Sequence, residues 1–257
     1  MAFPSIPTAG GGRILSAVHA AATTPRTFPS LTSLTKNAGD LIIALIAVYQ
    51  SSVPGAVFGS WGGGLAEFMD LGAASNICFG GAWKISNGTE TGTFTVAQAG
   101  TITGHAAMFL MSIEGNHASA APEAGSYASG GASAADPASF GPSYGADDTL
   151  WISLCGSGET ATGGAFAGIN TPPTNYLNDQ RSGISADVVG GMEAGIAFQQ
   201  LNAASEDVGP WSVDVSNARN AAALIAVRPV PTVHTMAAFG ASPNFYPDRR
   251  TLERRVW

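Results

Sequence analysis

Short apolar runs recur along this chain, each fenced by Gly, Pro, Asn or Asp, and almost none carries the 3.6-residue stripe of an amphipathic helix. The pattern predicts strands near residues 12–22, 41–49, 54–60, 65–72, 77–86, 92–97 and 104–114. A second set follows near 149–156, 163–168, 183–188, 193–201, 210–215 and 220–229. Short strands spaced by roughly 8 to 12 residues predict a sandwich or barrel. Between the sets, residues 117–142 read "HASAAPEAGSYASGGASAADPASFGP", too poor in large apolar groups to fold alone, and are expected to be a crossing or a surface loop.

The second set echoes the first. With Asp40 laid on Asp148, "DLIIALIA" falls over "DTLWISLC". Further on, "GGAWKISNGTETGTFTV" (80–96) falls over "AGIAFQQLNAASEDVGPWSVDV" (194–215), pairing Phe94 with Trp211. In both, an acid stands two residues before a Gly: Glu90 before Gly92, Asp207 before Gly209. The last pair is "HAAMFLMSIEG" (105–115) over "NAAALIAVRPV" (220–230). Three blocks in one order indicate an internal repeat. One half has too few strands to cover both faces of a core. Two halves can supply the two sheets of a sandwich or interleave as one large jelly roll. The run "LIIALIAV" lacks strict alternation, as a central strand covered on both faces requires. The expected fold is therefore all-β: a jelly-roll-like β-sandwich built from two similar halves, with an extended C-terminal arm. Its expected divisions are an N-terminal segment 1–11, a first half 12–116, the connection 117–142, a second half 143–230 and the arm 231–257.

Composition narrows the function classes. Only 11% of the 257 residues are charged, against a usual share of about a quarter, and 33 glycines with many Ala, Ser and Thr take their place. A hydrophobic content of 45% is nevertheless enough for a core. Such a neutral, small-residue surface suits closely packed neighbours. The net charge of −7 and the pI near 4.9 argue against nucleic acid as the main partner, since phosphate binding needs a basic stripe. No apolar run reaches the ~20 residues of a membrane span, and "MAFPSIPTAGGGR" lacks the basic and apolar regions of a signal peptide. Synthesis in the cytoplasm with no membrane partner is the expectation.

No catalytic or cofactor motif stands out. His19, His105, His117 and His234 fall in no metal-ligand spacing, and the glycine triplets at 10–12 and 62–64 precede no Lys and helix that would make a phosphate loop. Ser157, Gly158 and Glu159 resemble no nucleophile elbow. Asp147 and Asp148 are adjacent, so on a strand they point to opposite faces and cannot flank one glycosidic bond. Turn acids such as Asp147, Asp148, Glu206 and Asp207 could converge on Ca2+, but no D-x-D-x-D-G loop is present. Cys78 and Cys155 lie inside apolar runs and are expected to be buried, unpaired thiols. The expectation is a non-enzyme with no cofactor and no metal.

The order "AGDLIIALIAV", "WKISNGTETGTFTV", "LWISLCGS", "FQQLNAASEDVGPWSVDVSNARNAAALIAVRP" resembles a group of β-rich virion structural proteins of tailed bacteriophages and prophages. The resemblance covers roughly residues 12–230, and its most specific pieces are "QLNAASEDVGPW" and the closing "AALIAVRP". It implies a structural subunit of a virion, as capsid decoration or as part of the tail or neck. Other virion proteins and further copies of the chain would be its partners, and no catalytic residue is carried over. The chain departs from the shared pattern after residue 230.

Two surface features carry the binding expectations. Trp61, in "FGSWGGGLAEF", sits among glycines, where sugar-binding sandwiches place a stacking platform; the alternative is a Trp closing the end of the sandwich. As a platform it would make the chain a lectin-like, receptor- or host-glycan-binding module on the virion surface. The arm ends in "PNFYPDRRTLERRVW". There Arg249, Arg250, Arg254 and Arg255 outweigh Asp248 and Glu253 to give +2, so the rest of the chain carries −9. An acidic body with a basic, aromatic-ended arm is built to dock on a neighbour. Phe245, Tyr246 and Trp257 would be its apolar anchors, the four arginines would pair with acids, and Leu252 and Val256, four apart, would share one face of a short helix.

Overall fold

The computed structural model describes residues 3–6, 12–19, 25–49, 58–72, 76–98, 104–129, 134–159, 168–183, 191–213 and 218–231. Among these residues there is no helix. The first half contributes β1 (Ile14–His19), β2 (Arg26–Thr27), β3 (Ala38–Tyr49), β4 (Phe58–Trp61), β5 (Ala66–Leu71), β6 (Ile77–Asn87), β7 (Thr95–Gln98) and β8 (Ala106–Ile113). The second contributes β9 (Glu123–Ala124), β10 (Ala128–Ser129), β11 (Ala134–Ala135), β12 (Asp147–Glu159), β13 (Ile169–Thr171), β14 (Leu177–Gly183), β15 (Met192–Ala203), β16 (Trp211–Val213) and β17 (Ala218–Val227).

The two halves pair their strands in the same way. A large sheet of order β1-β8-β3-β6-β5 in the first half corresponds to β10-β17-β12-β15-β14 in the second, with β9 also on β17. A small sheet of order β2-β7-β4 corresponds to β11-β16-β13. First pairs with last, second with second-last, third with third-last. A long hairpin rolled into two facing sheets gives this order. Each half therefore makes its own pair of sheets, where one sheet per half or one interleaved roll was expected. Three strands, β9 to β11, lie inside the stretch read as a plain connection. Apart from Glu123 their residues are small, and the backbone pairing they make with β16 and β17 needs no large side chain.

The two large sheets stack against each other, so the layers run small, large, large, small. Leu41, Ile43 and Leu45 of β3 meet Leu150, Ile152 and Leu154 of β12 in a shared central core, together with Phe79, Phe109, Ile196 and Ile225. The alternate residues Ile42, Ala44, Ile46 and Val48 face the first small sheet. Trp151 and Cys155 face the second. The central strands are thus covered on both faces, which is why their sequences run apolar without alternation.

Register corrects the expected alignment. Leu41 lies opposite Ile113, the last residue of β8, and Leu150 lies opposite Val227, the last of β17. Leu41 is therefore level with Leu150, and Asp40 is level with Thr149 instead of Asp148. A shift of one residue exchanges the two faces of a strand. In a run that is apolar at every position nothing in the pattern marks which face is which. Phe94 and Trp211 do correspond: each is buried against its own large sheet, Trp211 as the first residue of the second-last strand and Phe94 immediately before it.

The corrected register aligns Gly80 with Gly195, opposite Ile46 and Cys155 respectively. Both admit an aromatic ring from the small sheet. A methyl group at Gly80 would stand 2.7 Å from the Phe58 ring, and one at Gly195 would stand 3.0 Å from the ring of Trp211.

Candidate functional site

The residues expected to form the docking arm, Phe245, Tyr246, Arg249, Arg250, Leu252, Arg254, Arg255, Val256 and Trp257, all lie outside the described residues.

Trp61 is not a platform. It ends β4 with its ring turned into the first half's core, 9% exposed, between Phe28 at 5.7 Å and Phe58 at 6.2 Å. Its Nε1 donates to Glu67 Oε2 at 2.8 Å. The flanking glycines form the turn that lets the ring swing inward. No face of the indole is left for a sugar.

The acids weighed for Ca2+ are engaged separately. Asp148 Oδ1 accepts from Asn202 Nδ2 at 2.7 Å, while Asp147 Oδ2 lies 3.7 Å from Arg228 Nε. Glu206 exchanges backbone hydrogen bonds with Phe140, and burial, then the nearby charge of Asp207, pushes its carboxyl above the usual range. Among the described residues no three His, Cys, Asp or Glu gather closely enough to hold a metal. Cys78 and Cys155 are buried and form no disulfide, and they belong to different cores, Cys78 in the first half's and Cys155 in the second's. Burial pushes the Cys155 thiol far up.

Residues 141–145, Gly-Pro-Ser-Tyr-Gly, have the G-x-S-x-G spacing of a nucleophile elbow, a match the expectations above do not include. The structure makes it a surface turn leading into β12. Ser143 Oγ donates to Glu123 Oε1 at 2.6 Å, β12 follows in place of a helix, and no histidine among the described residues is bonded to the hydroxyl. Tyr144 bonds Thr149 across 3.2 Å and stacks under the Arg228 guanidinium at 5.2 Å. Burial, together with Glu123 and Asp147, pushes its phenol up to about 12.

What the fold does assemble is a slot of about 720 Å3 where the two large sheets splay apart at the edge strands β1 and β14. Deeper in the seam the edges touch, Ser182 Oγ donating to Ala17 O at 3.2 Å. Towards the open end the register of β14 shifts between Leu177 and Gln180. Asn175 and Asn178 take left-handed backbone angles, φ 70° and 54°, which asparagine tolerates better than most residues. Tyr176, 3% exposed in the second half's outer core, pins the segment from behind.

One wall of the slot is a single sheet face. Leu177 lies opposite Phe198, and Leu150 lies opposite Gln200, so Leu177 stands over the edges of the core residues Leu150 and Phe198, 3% and 7% exposed, and is flanked by Gln180 and Gln200. Leu177 is 68% exposed, the largest value among the large apolar side chains described. Gln200 Nε2 donates to Pro4 O at 2.9 Å, which holds the N-terminal segment as the opposite wall with Arg13 and Ile14. The Arg13 guanidinium is already neutralised. It donates to Asp40 Oδ2 at 2.9 Å and lies 3.7 Å from Glu114, and Asp40 also accepts from Ser112 Oγ and the Asn37 N–H. This slot escaped the sequence pattern because β14 reads "LNDQRSG". The usable signal was a lone leucine among carboxamides, Asn175, Asn178 and Gln180.

No protein-family model, no curated protein and no solved structure matches this chain.

Proposed function

We propose that this chain is a non-enzymatic structural subunit of a tailed-phage virion, serving as capsid decoration or as a tail or neck component and assembling with further copies or with other virion proteins through its C-terminal arm. The observation that carries the reading is the doubled body. Two matched halves bury one face of each large sheet on the other and the second face under a small sheet, which makes a rigid block from a chain with 11% charged residues. The sequence resemblance supplies the particle, and the arm supplies the means of attachment: an arginine- and aromatic-rich end on a chain whose remainder carries −9.

The test compares the full chain with one lacking residues 244–257, by sedimentation velocity and by incorporation into particles. The truncated body should stay folded with nearly the same melting temperature and fail to assemble. Normal assembly of the truncated chain, or a full chain that stays monomeric and is excluded from particles, would overturn the reading.

A further inference from the structure

We infer that the slot between β1 and β14 is a binding site for a neutral oligosaccharide. The inference is independent of the assembly role proposed above and moves sugar recognition from the buried Trp61 to a different end of the molecule.

Three features define the ligand. The apolar surface on offer is Leu177, 68% exposed, beside the edges of the core residues Leu150 and Phe198, and an exposed aliphatic side chain of this kind can take the C–H face of a pyranose ring. The flanking groups are carboxamides, each of which donates and accepts, as ring hydroxyls do. The Gln180 side chain gives one N–H to Asp179 O at 3.0 Å and the Gln200 side chain gives one to Pro4 O. Each keeps its carbonyl oxygen and a second N–H. The amides of Asn175 and Asn178 have no partner among the described residues, and they are held at the rim by backbone angles that a regular strand would not adopt. Finally, no charge is left over. Arg13 is neutralised by Asp40 and Glu114, and Arg181, on the neighbouring edge, bonds Asp179 at 2.7 Å and the carbonyls of Ile169 and Asn170. Among the described residues lining the slot, an anionic ligand would find no free cation.

The same geometry disfavours a peptide. An extended peptide binds an open sheet by adding a strand, which requires an unbroken row of backbone groups. Here the edge is interrupted by the register shift and by two left-handed residues within four positions. The volume, about 720 Å3, lies in the range of small-molecule sites, roughly 300–1,000 Å3.

The test uses the full chain and saturation-transfer NMR with a panel of neutral di- and trisaccharides. Sialylated and sulfated counterparts and an uncharged extended peptide serve as comparators. At least one neutral saccharide should bind, and Gln180→Ala and Leu177→Asp should each weaken it by about tenfold, the loss expected for one well-placed contact. Both positions are exposed, so the variants should melt with the parent, and a variant that does not is replaced by Asn178→Gly, which relieves the strained backbone while removing the amide. Absence of any neutral saccharide signal at millimolar concentration would overturn the assignment. So would binding that survives the substitutions, or signals confined to the charged sugars or the peptide.

Discussion

The outer cores of the two halves fill the same space in opposite ways. In the first half the small sheet and its flanks bring the rings, Phe28, Phe58, Trp61 and Phe94, down onto aliphatic Ile42, Ala44, Ile46 and Val48. Phe28 and Phe94 stack at 4.7 Å. In the second half the large sheet supplies a ring of its own, Trp151, edge-on to Phe140 at 6.3 Å, and the space above it is made by Ala197, Ala222 and Ala226. Trp211 reaches across from the small sheet and donates from Nε1 to Ser153 Oγ at 2.8 Å. Ser153 stands where the first half has Ala44. The strand layout is thus conserved while bulk is traded across the gap, as expected if a core requires total volume and patterning more than particular residues.

The largest effects should come from the rings. Trp211→Ala removes a fully buried ring and leaves Ser153 without its partner, so a loss of about 3–5 kcal/mol is expected in urea unfolding. Trp61→Ala, at the rim of its core, should cost less. Both should shift one cooperative transition, because the central core is shared between halves. Two separate transitions would show that the halves are independent units.

Next come the matched glycines. Gly80→Ala and Gly195→Ala each push a methyl into a ring and should cost about 1–3 kcal/mol, with Gly80 the worse because its clearance is shorter. The reverse ranking would mean that Phe58 yields more easily than Trp211. A change of Ser153→Ala strands the buried Trp211 N–H and should cost about 1–3 kcal/mol, although Ala is the residue the first half uses at that level.

The smallest effects distinguish the two turn acids. Burial pushes the Glu90 carboxyl up, but bonds from the Asn87 N–H, its own N–H and Ser86, with Lys84 at 3.5 Å, outweigh it and leave the group below the usual range. A lowered carboxyl stabilises the fold above its unfolded value and loses that contribution as pH falls through the folded value. Glu206 is shifted the other way, so ionising it costs stability at neutral pH and the cost vanishes in acid. Melting temperatures between pH 3 and 7 should therefore fall less steeply in acid for Glu90→Gln. At pH 7 they should rise slightly for Glu206→Gln. Parallel profiles for both variants would contradict the assigned shifts.

The sequence was most informative where strands are buried. β3, β6, β8, β12, β15 and β17 were expected within a few residues of where they stand, because apolar runs between turn residues are an unambiguous signal for interior strands. The same apolarity hid the register, since residues that are buried on both faces carry no period. Of the edge strands, β1 and β5 stand inside the expected 12–22 and 65–72, but β14 and β9 to β11 were missed for the converse reason. β14 is solvated along one side and reads as polar loop, and β9 to β11 hold on by two-residue pairings that leave no pattern. The glycines around Trp61 suggested exposure, whereas the ring is buried and Glu67 satisfies its N–H. The slot depends on edges from opposite halves meeting, and that juxtaposition has no representation in a linear pattern.

The residues after β8 have a further consequence. Ser5 exchanges backbone bonds with Glu114, the His117 N–H donates to Arg228 O, and the Val230 N–H donates to Gly115 O. The first and last described stretches thus clasp the same four-residue junction, Glu114 to His117, from two sides. Phe3 O lies beside Gly115, whose carbonyl accepts from the Val230 N–H, so a linker could join these two stretches across the junction. A circularly permuted chain opened within the 117–122 segment, ahead of β9, would keep the described strand pairings and the shared core while carrying its new ends beside the same junction. Such a permutant would place the second half ahead of the first along the chain without altering the block itself.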